Sequence, residues 1–322
     1  MSKIAKRLLV LALVLLVSSA ALASLIAKSA SAWWLADLAV HFKLQYLLIG
    51  ALCIAPALWL RRWILVSLCL LCIIVNTQSA AQYFAPAYQA SLPTAQAPQG
   101  YAQVRLASLN VWFANVDYDG VAAWIEQTDP DIVVLVEVNP PWQKALAQRL
   151  SAWPHQHYQE NAGRTGKLIL SKTEPLSVQS ISSADGRPPL LATLYIDGAT
   201  LRVGAVHTHW PIGARNSRIR NKMLGEIAKI AQSAETPFIA AGDFNVSPFS
   251  PHFQSMLSDG GLRRASAGRG WQPTWPHFLP IAGIEIDHVL VPRSIAVTGF
   301  SVHKGLGSDH HGIVADLDIP RR

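Results

Sequence analysis

Two regimes of apolar and polar patterning divide this 322-residue chain. Before residue 84 the apolar runs are long and unbroken. Residues 8–27 carry no charge, and twenty helical residues span about 30 Å, the thickness of a bilayer's hydrocarbon core. Two more runs, 44–60 and 63–79, are separated by Arg61-Arg62. An Arg at mid-bilayer costs roughly 2.5–3.5 kcal/mol on the insertion scale, so the pair predicts a loop. Residues 1–83 therefore read as a membrane region with about three transmembrane helices. Trp33, Trp34, Trp59 and Trp63 stand near the ends of the runs, where interfacial anchors belong. Residues 84–100, with three prolines and no charge, read as a linker.

From Tyr101 the pattern changes to short apolar runs broken by polar loops. Strands are predicted at 104–111, 131–136, 167–171, 190–196, 201–207, 238–242, 287–291, 296–302 and 312–317, and helices at 118–127 and 217–232. The run Asp131–Val136 is rich in β-branched residues, as in a strand buried on both faces. Many strands with few helices between them imply packed sheets covered by helices, an α/β sandwich over residues 101–322.

Charge follows the same division. Residues 1–100 hold seven Lys/Arg against one acid, Asp37, whereas residues 101–322 hold twenty basic and nineteen acidic residues. Six of the seven net positive charges thus belong to the apolar third. A high pI usually points to nucleic acid, but here the C-terminal domain is nearly neutral, with Arg215, Arg218 and Arg220 as one candidate basic patch. Positive charge at the N-terminus and at Arg61-Arg62 puts both on the cytoplasmic side and the C-terminal domain outside the cytoplasm, in an inner or plasma membrane. Read instead as a cleaved signal peptide, the first run leaves that domain on the same side. All three cysteines, Cys53, Cys69 and Cys72, lie in the apolar third, so the C-terminal domain has neither a disulfide framework nor a thiolate metal site.

Polar residues with chemical capacity gather at the predicted strand ends. Gly242-Asp243-Phe244-Asn245 follows the apolar run 238–241. A strand ending this way sets a carboxylate and a carboxamide two residues apart on one face, able to activate and orient a water. By itself the motif is more often an Asx turn. Ser308-Asp309-His310-His311 precedes the last strand; the Asp can serve a metal and the His a phosphate oxygen or a proton. Asp287 can hold an imidazole in one tautomer, as triad acids do. His207 and His209 close the strand 201–207, Glu137 closes 131–136 with a carboxylate suited to a hard cation, and Asn110 closes 104–111. Each has an ordinary structural explanation; Asn110, Glu137, His207, Asp243, Asn245, Asp287, Asp309 and His310 together at strand ends point to one site.

In order and context these motifs resemble the endonuclease/exonuclease/phosphatase superfamily, with its DNase I-like nucleases, apurinic endonucleases, neutral sphingomyelinases, inositol polyphosphate phosphatases and deadenylases. The residues that carry the resemblance are ASLNV around Asn110, LVE ending in Glu137, VHTHWP at His207, Pro273-Thr274-Trp275, GDFN, IDHVLV at Asp287 and SDHH, spread over 101–322. The resemblance implies a four-layer αββα sandwich and Mg²⁺- or Mn²⁺-dependent hydrolysis of a phosphate ester. It implies Glu137 as metal ligand with Asn110 and Asp309 nearby. Asp243 would activate water that Asn245 positions, His310 held by Asp287 would contact the phosphate, and His207 would stabilise charge or protonate the leaving group. Trp112 replaces the acid found in apurinic endonucleases, Gly312 replaces a frequent Pro, and His207 competes with His209 for the histidine position.

The leading expectation is a membrane-anchored, divalent-metal-dependent phosphoesterase acting on a lipid, nucleotide or nucleic-acid phosphoester outside the cytoplasm. The bilayer is its one inferred macromolecular contact; no protein partner is inferable. A membrane-held nuclease is the alternative, weakened by the near-neutral domain. A non-catalytic binding module on the same fold is the third reading.

Overall fold

The computed structural model describes residues 2–84, 100–161, 165–181 and 187–321. Residues 85–99 of the expected linker lie outside the described residues. Twelve strands form two six-stranded sheets. In chain order the first is built from β1 (Tyr101–Asn110), β2 (Ile132–Val138), β3 (His155–Glu160), β4 (Gly166–Ser171), β11 (Ala296–His303) and β12 (Gly312–Pro320), arranged β11-β12-β1-β2-β4-β3. The second holds β5 (Ser177–Ser180), β6 (Leu190–Ile196), β7 (Ala199–His207), β8 (Phe238–Asp243), β9 (Leu262–Arg264) and β10 (Asp287–Pro292), arranged β5-β6-β7-β8-β10-β9. Each sheet has one parallel pair at its centre, β1 with β2 and β7 with β8; the other pairings are antiparallel.

Period-2 alternation decides which face each side chain takes. On β1, Val104 and Leu106 join the apolar layer between the sheets, while Ala107 and Leu109 point to the outer layer with α5 (Tyr118–Thr128) and α6 (Pro140–Arg149). The second sheet does the same, its outer face covered by α7 (Ala214–Gln232) and α8 (Pro251–Gly260). The four layers are those of the DNase I-like αββα sandwich. Helix α5 links the parallel pair of one sheet and α7 that of the other, as parallel strands require.

All nine predicted strands and both predicted helices are present, with ends displaced by a few residues at most. Five elements were not predicted. β3 (HQHYQE) and β5 (SVQS) are edge strands with no apolar face, and β9 is only three residues long. Helix α6 opens with Asn139, whose Oδ1 accepts the Trp142 N–H, followed by Pro140; α8 opens with Pro251 and closes on left-handed Gly261. These capping signals were readable in the sequence.

The N-terminal region contains α1 (Lys3–Ile26), α2 (Trp34–Val40), α3 (Lys43–Trp59) and α4 (Trp63–Phe84). Two of these helices, α1 and α4, are long and apolar enough to cross a membrane; α2 and α3, bent by 58° at their junction, make a third span if counted together. Lys3, Lys6, Arg7 and Arg62 line one cavity at one end of the bundle. The other end packs on the sandwich. Asp37 of α2 pairs with Arg220 of α7 and accepts the Ser250 hydroxyl at 2.6 Å, His41 Nδ1 meets Ser247 Oγ at 2.8 Å, and Gln45 donates to the Gly283 carbonyl at 2.8 Å. The Tyr83 ring stands edge-on to Phe249, 5.2 Å between centroids. Arg220, expected with Arg215 and Arg218 as part of a basic patch, is instead fully buried, because Asp37 neutralises it there.

Candidate active site

The inner apolar stripes of β1, β7 and β8 run on, two residues further, into a polar group. Val104 and Leu106 lead to Ser108 and Asn110; Val203 and Ala205 lead to His207; Ile239 and Ala241 lead to Asp243. On β10, which runs the opposite way, Asp287 precedes Val289 and Val291. The alternation that builds the core therefore also delivers these side chains to one rim, at the carboxyl ends of both parallel pairs. Asn110, His207, Asp243, Asp287 and His310 are all buried there.

Glu137 reaches the same rim by a different device. Val133 and Leu135 face the outer helices, so unbroken alternation would send Glu137 outward with them. The β2–β4 register slips between Val136 and Val138, and Glu137 takes φ +60°. Val138 then returns to the outer layer. The slip is a β-bulge, which re-aims one side chain.

Asn110 sits at the centre of the cluster. Its Nδ2 donates to Glu137 Oε1 at 3.1 Å and to Asp243 Oδ2 at 3.1 Å, and lies 3.5 Å from His310 Nε2. His207 Nε2 is 3.6 Å from Glu137 Oε1 and 3.8 Å from Asp243 Oδ2. His310 Nδ1 is 2.8 Å from Asp287 Oδ2, which leaves Nε2 facing Asp243 at 3.9 Å. The Asp287 and Ile286 amides both donate to Thr274 Oγ1, fixing the carboxylate in place.

The GDFN turn is locally strained and locally held. Gly242 has φ +133°, and a Cβ there would lie 2.0 Å from the Val206 carbonyl oxygen, so only glycine fits. Asn245 adopts φ +48°, its amide donating to Asp243 Oδ1 at 2.8 Å and its side chain donating to the Thr208 carbonyl at 3.1 Å. Asn tolerates this left-handed conformation better than most residues. Arg220, the residue paired with Asp37, also donates to the Asn245 carbonyl at 3.1 Å.

Burial and charge set the protonation of the cluster. Burial pushes the Asp243 carboxyl up to about 7; the His310 charge opposes the rise and the Asp287 charge adds to it. For His310, burial works against the charged form, but Asp287 beside Nδ1 outweighs it and carries the imidazole up to about 10. His207 is pushed well below the usual histidine range by burial, then by the charges of Arg187 and Lys167. At neutral pH the site accordingly pairs one neutral imidazole with one imidazolium.

All eight expected residues lie at this rim, though not in equal contact. Asn110, Glu137, His207, Asp243, Asn245, Asp287 and His310 form one connected set. Asp309 adjoins it through His310, and its carboxylate accepts the Trp275 indole N–H at 3.2 Å; among the described residues no hydrogen bond joins it to Asn110 or Glu137. Of the two candidate histidines, His207 is the one at Glu137 and Asp243. Asp243, Asp287 and His310 bring donor atoms within 4.8 Å of one another; Asp287 Oδ2 is engaged by His310, while its buried Oδ1 has no hydrogen-bond partner among the described residues. The carboxylates of Glu137 and Asp243 share the Asn110 amide. Oxygen donors of this kind, one of them held partly protonated by burial, fit a hard divalent cation, whose charge would relieve both.

Two cationic residues of the site had escaped notice. Lys167 is fully buried on β4 at the inner-face parity of Ile169, donates to Asn161 and to the Pro188 carbonyl, and is lowered to about 7 by burial and by Arg187. Arg187 feels the charges of Glu137 and Asp243. A lysine two residues before an inner-face Ile was the available signal for the first; Arg187, in a loop, offered none.

This fold and rim define a metal-dependent hydrolase of phosphoester bonds. A family model for the endonuclease/exonuclease/phosphatase family matches residues 107–310, more than half of the chain. The chain belongs to that family. Among solved structures it is similar to the endonuclease/exonuclease/phosphatase from Bacteroides vulgatus, at 20% identity over 68% of this chain and 99% of that one, with a TM-score of 0.60. It is also similar to humanized D. rerio TDP2, at 18% identity over 67% and 98% with a TM-score of 0.56. D. rerio TDP2 complexed with single strand DNA product matches at 17% identity over 67% and 99%, with a TM-score of 0.55. No curated protein matches the sequence.

Proposed function

We propose that this protein is a membrane-anchored phosphoesterase that hydrolyses phosphate mono- or diesters outside the cytoplasm with Mg²⁺ or Mn²⁺. The observation that carries the chemistry is the convergence of Glu137, His207, Asp243 and His310 around the Asn110 amide. Glu137 would hold the cation, with Asn110 and Asp309 in support. When bound, the cation supplies Lewis-acid neutralisation of charge building on the phosphoryl group. Asp243 takes a proton from the attacking water, which Asn245 orients. His310, kept protonated by Asp287, donates to a phosphoryl oxygen. His207, held neutral, offers its N–H to developing charge rather than a proton to the leaving group, the imidazolium being disfavoured there.

The anchoring reading rests on α1 and α4 as spans, with α2 and α3 together as a third. The basic cluster of Lys3, Lys6, Arg7 and Arg62 occupies one end of the bundle, and the sandwich packs on the other. With the basic end cytoplasmic, the catalytic unit lies outside.

A nucleic-acid substrate is the second reading, favoured by the D. rerio structure with its DNA product. The test is turnover of bis-p-nitrophenyl phosphate and of single-stranded DNA by the full chain in detergent, with Mg²⁺ and with EDTA. Turnover that survives EDTA, or that Asp243→Asn leaves intact, would overturn the mechanism.

A further inference from the structure

The loops that flank the site expose large apolar side chains. Trp210 and Ile212 follow His207, and Phe278, Leu279 and Ile281 follow Trp275; all are exposed, Phe278 by 70% and Ile281 by 68%. Isolated exposed apolar residues are ordinary, but a cluster of large ones marks an interaction surface. Both segments are tied to the site. His207 stands three residues before Trp210, and Trp275 and His277 hydrogen-bond to Asp309.

Both also border the N-terminal helices. Gly283, just beyond Ile281, accepts a hydrogen bond from Gln45, in the first turn of α3 before its apolar run. Ala214, just beyond Ile212, lines a cavity of about 250 Å³ together with Trp33 and Trp34. Trp33 is itself exposed. The apolar loops thus lie at the level where α3 leaves the sandwich and where tryptophans stand as interfacial anchors. Over residues 101–322 Lys and Arg exceed Asp and Glu by only one, too little for a phosphate-tracking face of the kind nucleic acid requires.

From this continuity we infer that the loops Trp210–Ile212 and Phe278–Ile281 enter the interfacial layer of the bilayer that the chain's own helices cross, and that the substrate is a phosphate ester carried by a lipid of that leaflet. The inference rests on the phosphoesterase reading above. The reaction consumes one water: its oxygen bonds to phosphorus, one P–O bond to the leaving alcohol breaks, and the alcohol oxygen takes up the proton. The lipid head group reaches the rim while its chains stay in the layer that the loops contact.

The experiment uses the full chain in nanodiscs of phosphatidylglycerol, phosphatidylethanolamine and cardiolipin, with Mg²⁺ or Mn²⁺. Release of lipid phosphoester products is followed beside turnover of soluble bis-p-nitrophenyl phosphate. Lipid turnover is expected, and the paired substitution F278S/I281S should lower the ratio of lipid to soluble turnover by about tenfold. A spin label on Ile281→Cys should relax faster with membrane-dissolved oxygen than with a water-soluble nickel chelate. Soluble turnover without lipid turnover would overturn the lipid inference and leave the phosphoesterase reading standing. An unchanged ratio, or a label relaxed mainly by the nickel chelate, would overturn the role of the loops. No turnover of either substrate would overturn the underlying reading instead.

Discussion

Asp37 and Arg220, 183 positions apart, form an ion pair in which neither side chain is more than 2% exposed. Arg220 passes the contact on to the Asn245 carbonyl, and Asp37 also accepts the Ser250 hydroxyl. The helical region is therefore joined to the backbone of the GDFN turn, and the two parts of the chain are one packed unit at this point.

Removing one member of a buried pair leaves the other uncompensated, a loss of about 3–5 kcal/mol. Asp37→Ala should lower the thermal unfolding midpoint of the detergent-solubilised chain markedly. The double substitution D37L/R220M should recover much of the loss, because an apolar pair carries no stranded charge. If the double variant is as unstable as both singles combined, the pair is not coupled.

The Asp287–His310 contact predicts a particular pH dependence. His310 is raised in the folded protein from 6.5 to about 10. The folded state then binds the extra proton between those values, so this contribution is complete below about pH 6.5 and lost as pH rises towards 10. Asp287→Asn should flatten the decline in stability over that window in metal-free protein, measured by denaturant unfolding at a series of pH values. A decline of equal slope in the variant would contradict the assignment.

Glu137 should govern cation affinity more than folding. Glu137→Gln is expected to raise the Mg²⁺ concentration for half-maximal turnover by about 10–100-fold. Titration calorimetry should show the same weakening without any turnover assay. Unaltered Mg²⁺ binding would place the cation elsewhere.

His207 and His209 separate by their surroundings. His207→Ala should cut kcat by about 100-fold or more, while His209→Ala should change it far less. Steady-state kinetics on one soluble diester is sufficient, and equal losses would remove the distinction drawn from the 3.6 Å and 3.8 Å contacts of His207.

The sequence carried the site further than it carried the assembly. Asn110, His207, Asp243 and Asp287 were legible because each extends a period-2 apolar stripe by a single step, and their shared parity placed them on one rim. Lys167 obeys the same rule on β4 but was read as part of an ordinary strand. β3 and β5 were invisible because edge strands need no apolar face. Asp37 was legible only as the lone acid among apolar helices; its partner lies on α7, and no local pattern links residues so far apart. Arg187 owes its place to a loop whose path no periodicity encodes.

The bulge at Glu137 makes strand register itself part of the chemistry. An even ladder with β4 beyond Val136 would carry Glu137 outward with Val133 and Leu135, towards α5 and α6. Such a chain would keep its strand and every acidic residue, yet present only Asp243 of the two carboxylates that share the Asn110 amide.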